Sequence, residues 1–320
     1  MSIKPNAYLF AHFVGREMTP DSEQVYLSVS RDGINWNILN NGKCVLKSQE
    51  GEKGIRDPFC VRKRDGNGFY IIATDLSIHN RICNEENIQN VWRNARTRCE
   101  DNPFPGSRDI MVWETDDLIH WSRGRLLRAA GENDGCAWAP KCIYDENREM
   151  YMVFWASTSA HDGYARHRIF RSYTKDLKKL TEPELWIDRS GAGLNAFDII
   201  VYKDNNRYYR VFKTDGIDIE GADTLDGEWT RIESNIRELA DKHEGAALYK
   251  NIESGEWYLL LDSLHKDCCG YQLFVSDDIE SGVFQKAAVK FPKNIIYRHG
   301  SVVTITDAEY ERLEEHYGNK

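Results

Sequence analysis

No run of apolar residues in this sequence approaches the roughly 18 that a membrane-spanning helix needs. The apolar run near the start, within MSIKPNAYLFAHFVGREM, has 8 residues, one of them a histidine, and no small-residue cleavage site follows it. A secretory signal is therefore not expected, nor is a membrane partner, and the cytoplasm is the expected compartment. A basic stripe is missing too: the net charge is −9 and the signs are mixed along the chain, which argues against nucleic acid. The eight cysteines include no CxxC pair, and the adjacent Cys268 and Cys269 are poorly placed to bridge each other. Scattered over a long chain, they are expected as reduced thiols rather than as a disulfide framework or a zinc site. Long helical periodicity is nearly absent.

What the sequence does have is aromatic side chains, with 9 Trp and 16 Tyr, and a repeat. Aromatics serve a core as readily as a sugar-binding cleft, so their number decides nothing alone. The repeat does more. Two apolar runs joined by a turn rich in Asp, Asn, Gly or Glu occur in DPFCVRKRDGNGFYIIATD (57–75), WAPKCIYDENREMYMVFWAS (138–157), FDIIVYKDNNRYYRVFKTD (197–215) and HEGAALYKNIESGEWYLLLD (243–262). Each reads as a β-hairpin. A polar turn leading to an aromatic recurs in SRDGINW (30–36), ETDDLIHW (114–121), TLDGEW (224–229) and SDDIESGVF (276–284), with SYTKDLKKL (172–180) a weaker copy. Hairpin plus outer strands makes a four-stranded blade.

Four blades lie between 57 and 284, and the chain ends supply a fifth. RHGSVVTIT (298–306) resembles an inner strand without partners, and residues 6–36 resemble the missing outer strands. The expected fold is all-β: a five-bladed propeller over residues 1–320, one catalytic domain, closed by pairing of the N- and C-terminal segments. A short helix is expected near 307–320. Residues 76–107 form a long insertion in the first blade, expected to wall one side of a cleft.

An aspartate before a proline, as in RDPF, is most often a plain turn. In a propeller, however, innermost strands begin near the axis on one face. Asp57, Asp198, Glu244 and His299 begin four of the five, and the remaining copy offers Trp138 instead. Three carboxylates sharing a cleft repel one another, so one pKa at least is raised. That suits acid–base hydrolysis of a glycosidic bond, with a calcium site as the rival use of clustered carboxylates. His79, His161 and His265 follow hairpin ends and receive no role.

The ordered set RDPF (56–59), WAP (138–140), AFDIIVY (196–202), HEGAALY (243–249) and RHGSVV (298–303) resembles glycoside hydrolase family 43 over nearly the whole chain. The resemblance implies a five-bladed propeller that inverts the anomeric centre, many relatives releasing arabinofuranose or xylose. It implies Asp57 as general base, Asp198 as the acid that tunes pKa and orients the donor, and Glu244 as general acid. Asp198 departs from the pattern, being followed by Ile199 rather than proline, and Lys141 stands where an acid is common. His299 matches a histidine that in some relatives faces a calcium ion, so a structural calcium near His299 is implied and no other cofactor is required. Trp138 and Trp113 are candidate sugar platforms, against plain core, and Arg298 a candidate ligand for a substrate hydroxyl, against a salt bridge.

The expected activity is exo-acting hydrolysis of short oligosaccharides: an α-L-arabinofuranosidase on xylan-derived fragments, with β-xylosidase as a second activity. The alternatives are a propeller that only binds carbohydrate or protein, and another five-bladed glycosidase or phosphorylase. Fructan-acting enzymes carry a further Asp-Pro nucleophile motif near the N-terminus, and residues 1–50 contain no such dipeptide.

Overall fold

The computed structural model describes residues 5–15, 19–82, 87–266 and 269–319. It contains five four-stranded antiparallel sheets arranged as the blades of a propeller. The first blade runs from its inner strand outward through Ile55–Arg62, Phe69–Asp75, Asp109–Thr115 and Arg125–Arg128. The second comprises Trp138–Asp145, Met150–Ser157, Arg168–Thr174 and Glu184–Ile187. The third comprises Phe197–Asp204, Arg207–Lys213, Ile217–Ala222 and Thr230–Ile232, and the fourth His243–Lys250, Trp257–Ser263, Gly270–Ser276 and Gln285–Ala287.

In the fifth blade the C-terminal strand Ile296–Ile305 pairs with Ala7–Gly15, which pairs in turn with Tyr26–Ser30 and Asn37–Ile38. The register Ala7↔Ile305 through Gly15↔Ile296 closes the ring, as expected from the two orphaned ends. Closure of this kind pairs both chain ends and leaves the blades only short edges, protected within the ring.

Local chemistry sets the turns. Asp65, Asp145 and Asn251 accept the backbone N–H two residues on at the tips of the inner hairpins. Asp32, Asp117, Asp176 and Asp278 do the same between the third and fourth strands of four blades. The copy at 172–180, weaker in sequence, is thus built like its siblings. The third blade differs, closing its turn by Gly227 N–H to the Thr224 carbonyl.

Both faces of most strands are covered, because each sheet packs against two neighbours. Ala7–Gly15 is consequently buried along seven consecutive positions, where a half-exposed strand would alternate. Trp113 is part of this packing. It lies on the third strand of its blade, 3% exposed, among Leu27, Ile71 and Leu118. Gly124 passes so close that a Cβ there would meet the indole Nε1 at 2.5 Å. The expectation of a sugar platform at Trp113 is corrected: its side chain is buried in the core between blades and does not line the funnel.

The expected terminal helix spans Asp307–Tyr317 and opens with a capping box between Thr306 and Glu309. Arg62 of the first blade grips Glu309 at 2.7 Å. The 76–107 insertion carries the short helices Ile78–Ile82 and Ile88–Asn94. Its start is tied down by Glu23, a wholly buried carboxylate that accepts from Ser77 Oγ and the backbone N–H groups of Ile78 and His79. Of the cysteines, Cys44, Cys60, Cys99, Cys136, Cys142 and Cys269 are free thiols, while Cys83 and Cys268 lie outside the described residues. Among the described residues no helix is long and apolar enough to cross a membrane.

Candidate active site

Each of the first four inner strands breaks register with its neighbour at the same place: between Arg56 and Phe59, Trp138 and Lys141, Phe197 and Ile200, and Glu244 and Ala247. In each bulge the second residue has a left-handed backbone: Asp57 at φ 53°, Ala139 at 47°, Asp198 at 52° and Gly245 at 62°. A bulge re-aims side chains at the end of a strand. Here it turns them into a funnel of about 520 Å³, lined by Asp57, Trp138, Asp198, Glu244, Arg298 and His299 among others.

His299 is the hub. Its Nδ1 lies 3.1 Å from Asp57 Oδ1 and 3.6 Å from Asp198 Oδ2. Its Nε2 lies 3.1 Å from Glu244 Oε1 and 3.2 Å from Asp262 Oδ2. The Nδ1–Asp57 contact is a hydrogen bond; the two at Nε2 are close ion pairs without hydrogen-bond alignment. Burial alone would drive the proton off this ring. The charge of Asp198, with those of Asp262, Asp57 and Glu244, outweighs it and holds the pKa well above the usual histidine value. Gly245 is obligatory beside it, since a Cβ would stand 2.4 Å from the imidazole Cδ2.

The acids do not share one environment. Burial raises the pKa of Asp57, but the hydrogen bond and charge of His299, then Arg56 and Thr74, hold it well below the usual carboxylate range. Thr74 Oγ1 donates to Asp57 Oδ2 at 2.6 Å while accepting the Ala139 N–H. Asp198 is pushed up to about 6, by burial first and then by the charges of Glu244 and Asp57, against the pull of His299 and Lys141. Its Oδ2 accepts the Gly245 N–H at 2.9 Å. Lys141, 2% exposed, feels the charges of Asp57 and Asp198; burial lowers its pKa and the two acids only partly restore it.

Asp198, Glu244 and His299 each offer a ligand atom within 4.8 Å of the others. The set suits calcium poorly. That ion takes about 6–8 oxygen ligands, and this group supplies two carboxylates and a ring nitrogen.

Of the candidates read from sequence, Asp57, Asp198, Glu244, His299, Trp138 and Arg298 come together, and Trp113 does not. Arg298 also forms the anticipated ion pair, with Asp262. Trp138 is half-buried and stacks on His167 at 5.1 Å. Sequence reasoning missed Asp262, fully buried, although it sits directly across the hairpin from Glu244; carrying the hairpin register to its end would have found it. It also missed Trp92 and Arg96, which the insertion brings to the funnel wall, and His167 and Asn195. No local signal marks these four.

A family model described as a probable glycosyl hydrolase domain, related to glycoside hydrolase family 43, matches residues 4–311. Among curated proteins, an α-L-arabinofuranosidase of Bifidobacterium longum subsp. longum is 28% identical over 204 residues, 58% of this chain. The match covers 17% of that much longer protein. Among solved structures, the GH43 BlXynB protein from Bacillus licheniformis superposes with a TM-score of 0.56 at 14% identity, over 95% of this chain and 58% of the other. An exo-β-1,3-galactanase from Phanerochaete chrysosporium superposes with a TM-score of 0.50 at 12% identity, over 78% of this chain and 52% of the other. At such identities the superpositions establish the shared propeller fold.

Proposed function

The chain belongs to the glycosyl hydrolase family related to glycoside hydrolase family 43, and from that premise we propose that it is an inverting, exo-acting enzyme releasing α-L-arabinofuranosyl units from xylan-derived oligosaccharides, with β-xylosidase as a second activity. The observation that carries the mechanism is the placement of Asp57 and Glu244 on opposite ring nitrogens of His299. A whole imidazole separates the two carboxyls. This favours the wide spacing of inverting enzymes, roughly 6.5–9.5 Å, over the roughly 5–5.5 Å of retaining ones.

In this reading Asp57, held ionised, takes a proton from water as the water attacks the anomeric carbon. Glu244 gives its proton to the departing glycosidic oxygen on the other side, and the C–O bond breaks with the electron pair leaving on that oxygen. The spent pair then exchanges protons with solvent. Asp198, beside Glu244, couples the two acids so that one of them keeps a proton. The His299 imidazolium supplies the positive charge that lets several carboxylates share a dry site. A binding-only propeller would have no use for that cost. The arabinofuranosidase assignment leans on the Bifidobacterium relative.

The test is hydrolysis of nitrophenyl arabinofuranoside, xyloside and galactoside, then of arabinoxylan oligosaccharides, with proton NMR of the first-formed anomer. Inversion with arabinose or xylose release is expected. Net retention would move the nucleophile to Asp198, whose carboxylate lies close to that of Glu244. Galactose release alone would replace the sugar assignment.

A further inference from the structure

The cations of the funnel are unequally matched. Arg56 pairs with Glu23 at 2.8 Å, Arg298 with Asp262, and His299 with the acids around it. Arg96, half-buried on the wall that the insertion builds, makes no ion pair among the described residues, and its Nε is buried without a hydrogen-bond partner. Next to it, His167 is 6% exposed with an Nε2 that also lacks a partner. Burial, then the charge of Arg96, pushes the His167 pKa down to about 3, so the ring is neutral.

Arg96 Nε and His167 Nε2 are enclosed in the lining of the funnel without partners, and the rest of the half-buried Arg96 guanidinium, with no ion pair among the described residues, is available to an acceptor that enters. The wall around them carries two indole rings. Trp138 stacks on His167, and Trp92 meets Trp138 edge-on at 6.0 Å. This wall belongs to the insertion and the second blade, whereas Glu244 and Arg298 stand on the fourth and fifth. It therefore adjoins the acid cluster rather than coinciding with it.

We propose that this wall is a subsite for an acidic sugar, in which the guanidinium of Arg96 binds the carboxylate of a uronic acid residue next to the unit being released, with His167 and Asn195 reading its hydroxyls. A planar guanidinium matches a carboxylate fork to fork. A singly charged carboxylate also suits a funnel already holding Asp57, Asp198 and Glu244 better than a doubly charged phosphate does. The inference rests on the reading of the funnel as a glycan site and names the chemistry of the glycan it takes.

The experiment measures binding rather than turnover. Methyl β-glucuronide and methyl β-glucoside, which differ in the carboxylate alone, are titrated calorimetrically into the full chain and into Arg96→Ala and Arg96→Lys, with thermal melts to establish folding. The wild-type chain should prefer the glucuronide by about 10-fold or more, the worth of a charge-assisted pair. The preference should shrink as salt rises, vanish in Arg96→Ala, and return in part in Arg96→Lys. Equal affinities, no glucuronide binding at millimolar concentration, or a preference that survives Arg96→Ala would each overturn the subsite. Hydrolysis of neutral glycosides without the preference would remove the subsite and leave the hydrolase. Preference without hydrolysis of any glycoside would do the reverse.

Discussion

Asp57 and Ala139 occupy the same position in neighbouring blades. Both follow a register break in an inner strand, both precede a proline, both have a left-handed backbone, and one hydroxyl, Thr74 Oγ1, bonds to each. Yet one is an acid at the floor of the funnel and the other a methyl group. The bulge is therefore a device of the fold, and chemistry is added by the side chain set on it. Aspartate tolerates the left-handed region better than most residues, so Asp57 and Asp198 stand there at little local cost. Alanine has no such excuse and carries strain of about 1 kcal/mol. The fourth blade solves the problem differently. Gly245 holds the bulge because His299 leaves no room for a Cβ, and the acid moves one residue back, to Glu244, whose longer side chain reaches the hub.

Removing the acids separates the two kinds of bulge most sharply. Asp57→Asn and Glu244→Gln should each lower kcat/KM on an unactivated oligosaccharide by at least about 10²–10⁴-fold, with melting temperature nearly kept. A Glu244→Gln enzyme with near-full activity would refute its role as the acid. Substrates with good leaving groups are a poor test, since they need little protonation.

A smaller effect is expected at Asp198. Its pKa is raised from the ordinary 3.8 to about 6, so the folded state holds a proton that the unfolded chain releases in that window. Its contribution to stability is thus complete below about pH 4 and lost as pH rises through about 6. Asparagine does not titrate. Urea unfolding should show the stability gap between Asp198→Asn and wild type moving in the variant's favour by up to about 3 kcal/mol from pH 4 to pH 7.5. The kcat/KM profile of the variant should also lose an inflection near pH 6. A pH-independent gap would mean that Asp198 does not titrate with a raised pKa in the folded cluster.

The smallest effect belongs to Ala139. Ala139→Gly relieves the left-handed alanine and should stabilise the protein by up to about 0.5 kcal/mol, after the entropy glycine costs in the unfolded chain. Denaturant midpoints measure it. A destabilised variant would show that the Ala139 methyl group, rather than the backbone it sits on, is what the second blade needs.

By itself the sequence determined the five repeats, the closure of the ring through its two ends, and the convergence of Asp57, Asp198, Glu244 and His299. These follow from short-range signals: alternating apolar runs, turn residues at fixed offsets, and a strand start that recurs with each copy. Only the tertiary structure decided which residues join the acids and which stay outside. Trp113 and Trp138 look alike as aromatics near strands, but one lies on a third strand inside the core and the other at the mouth of a first. The insertion carries no periodic pattern, so nothing local announces that it brings Trp92 and Arg96 to the wall. The order of the blades put Asp57 and Glu244 across the funnel with the fifth blade between them, but the contact of each with one nitrogen of a single imidazole was out of reach. It depends on bulges in separate blades and on the packing of the fifth blade between the fourth and the first, distances set by side-chain volume across sheets rather than by the order of residues along the chain.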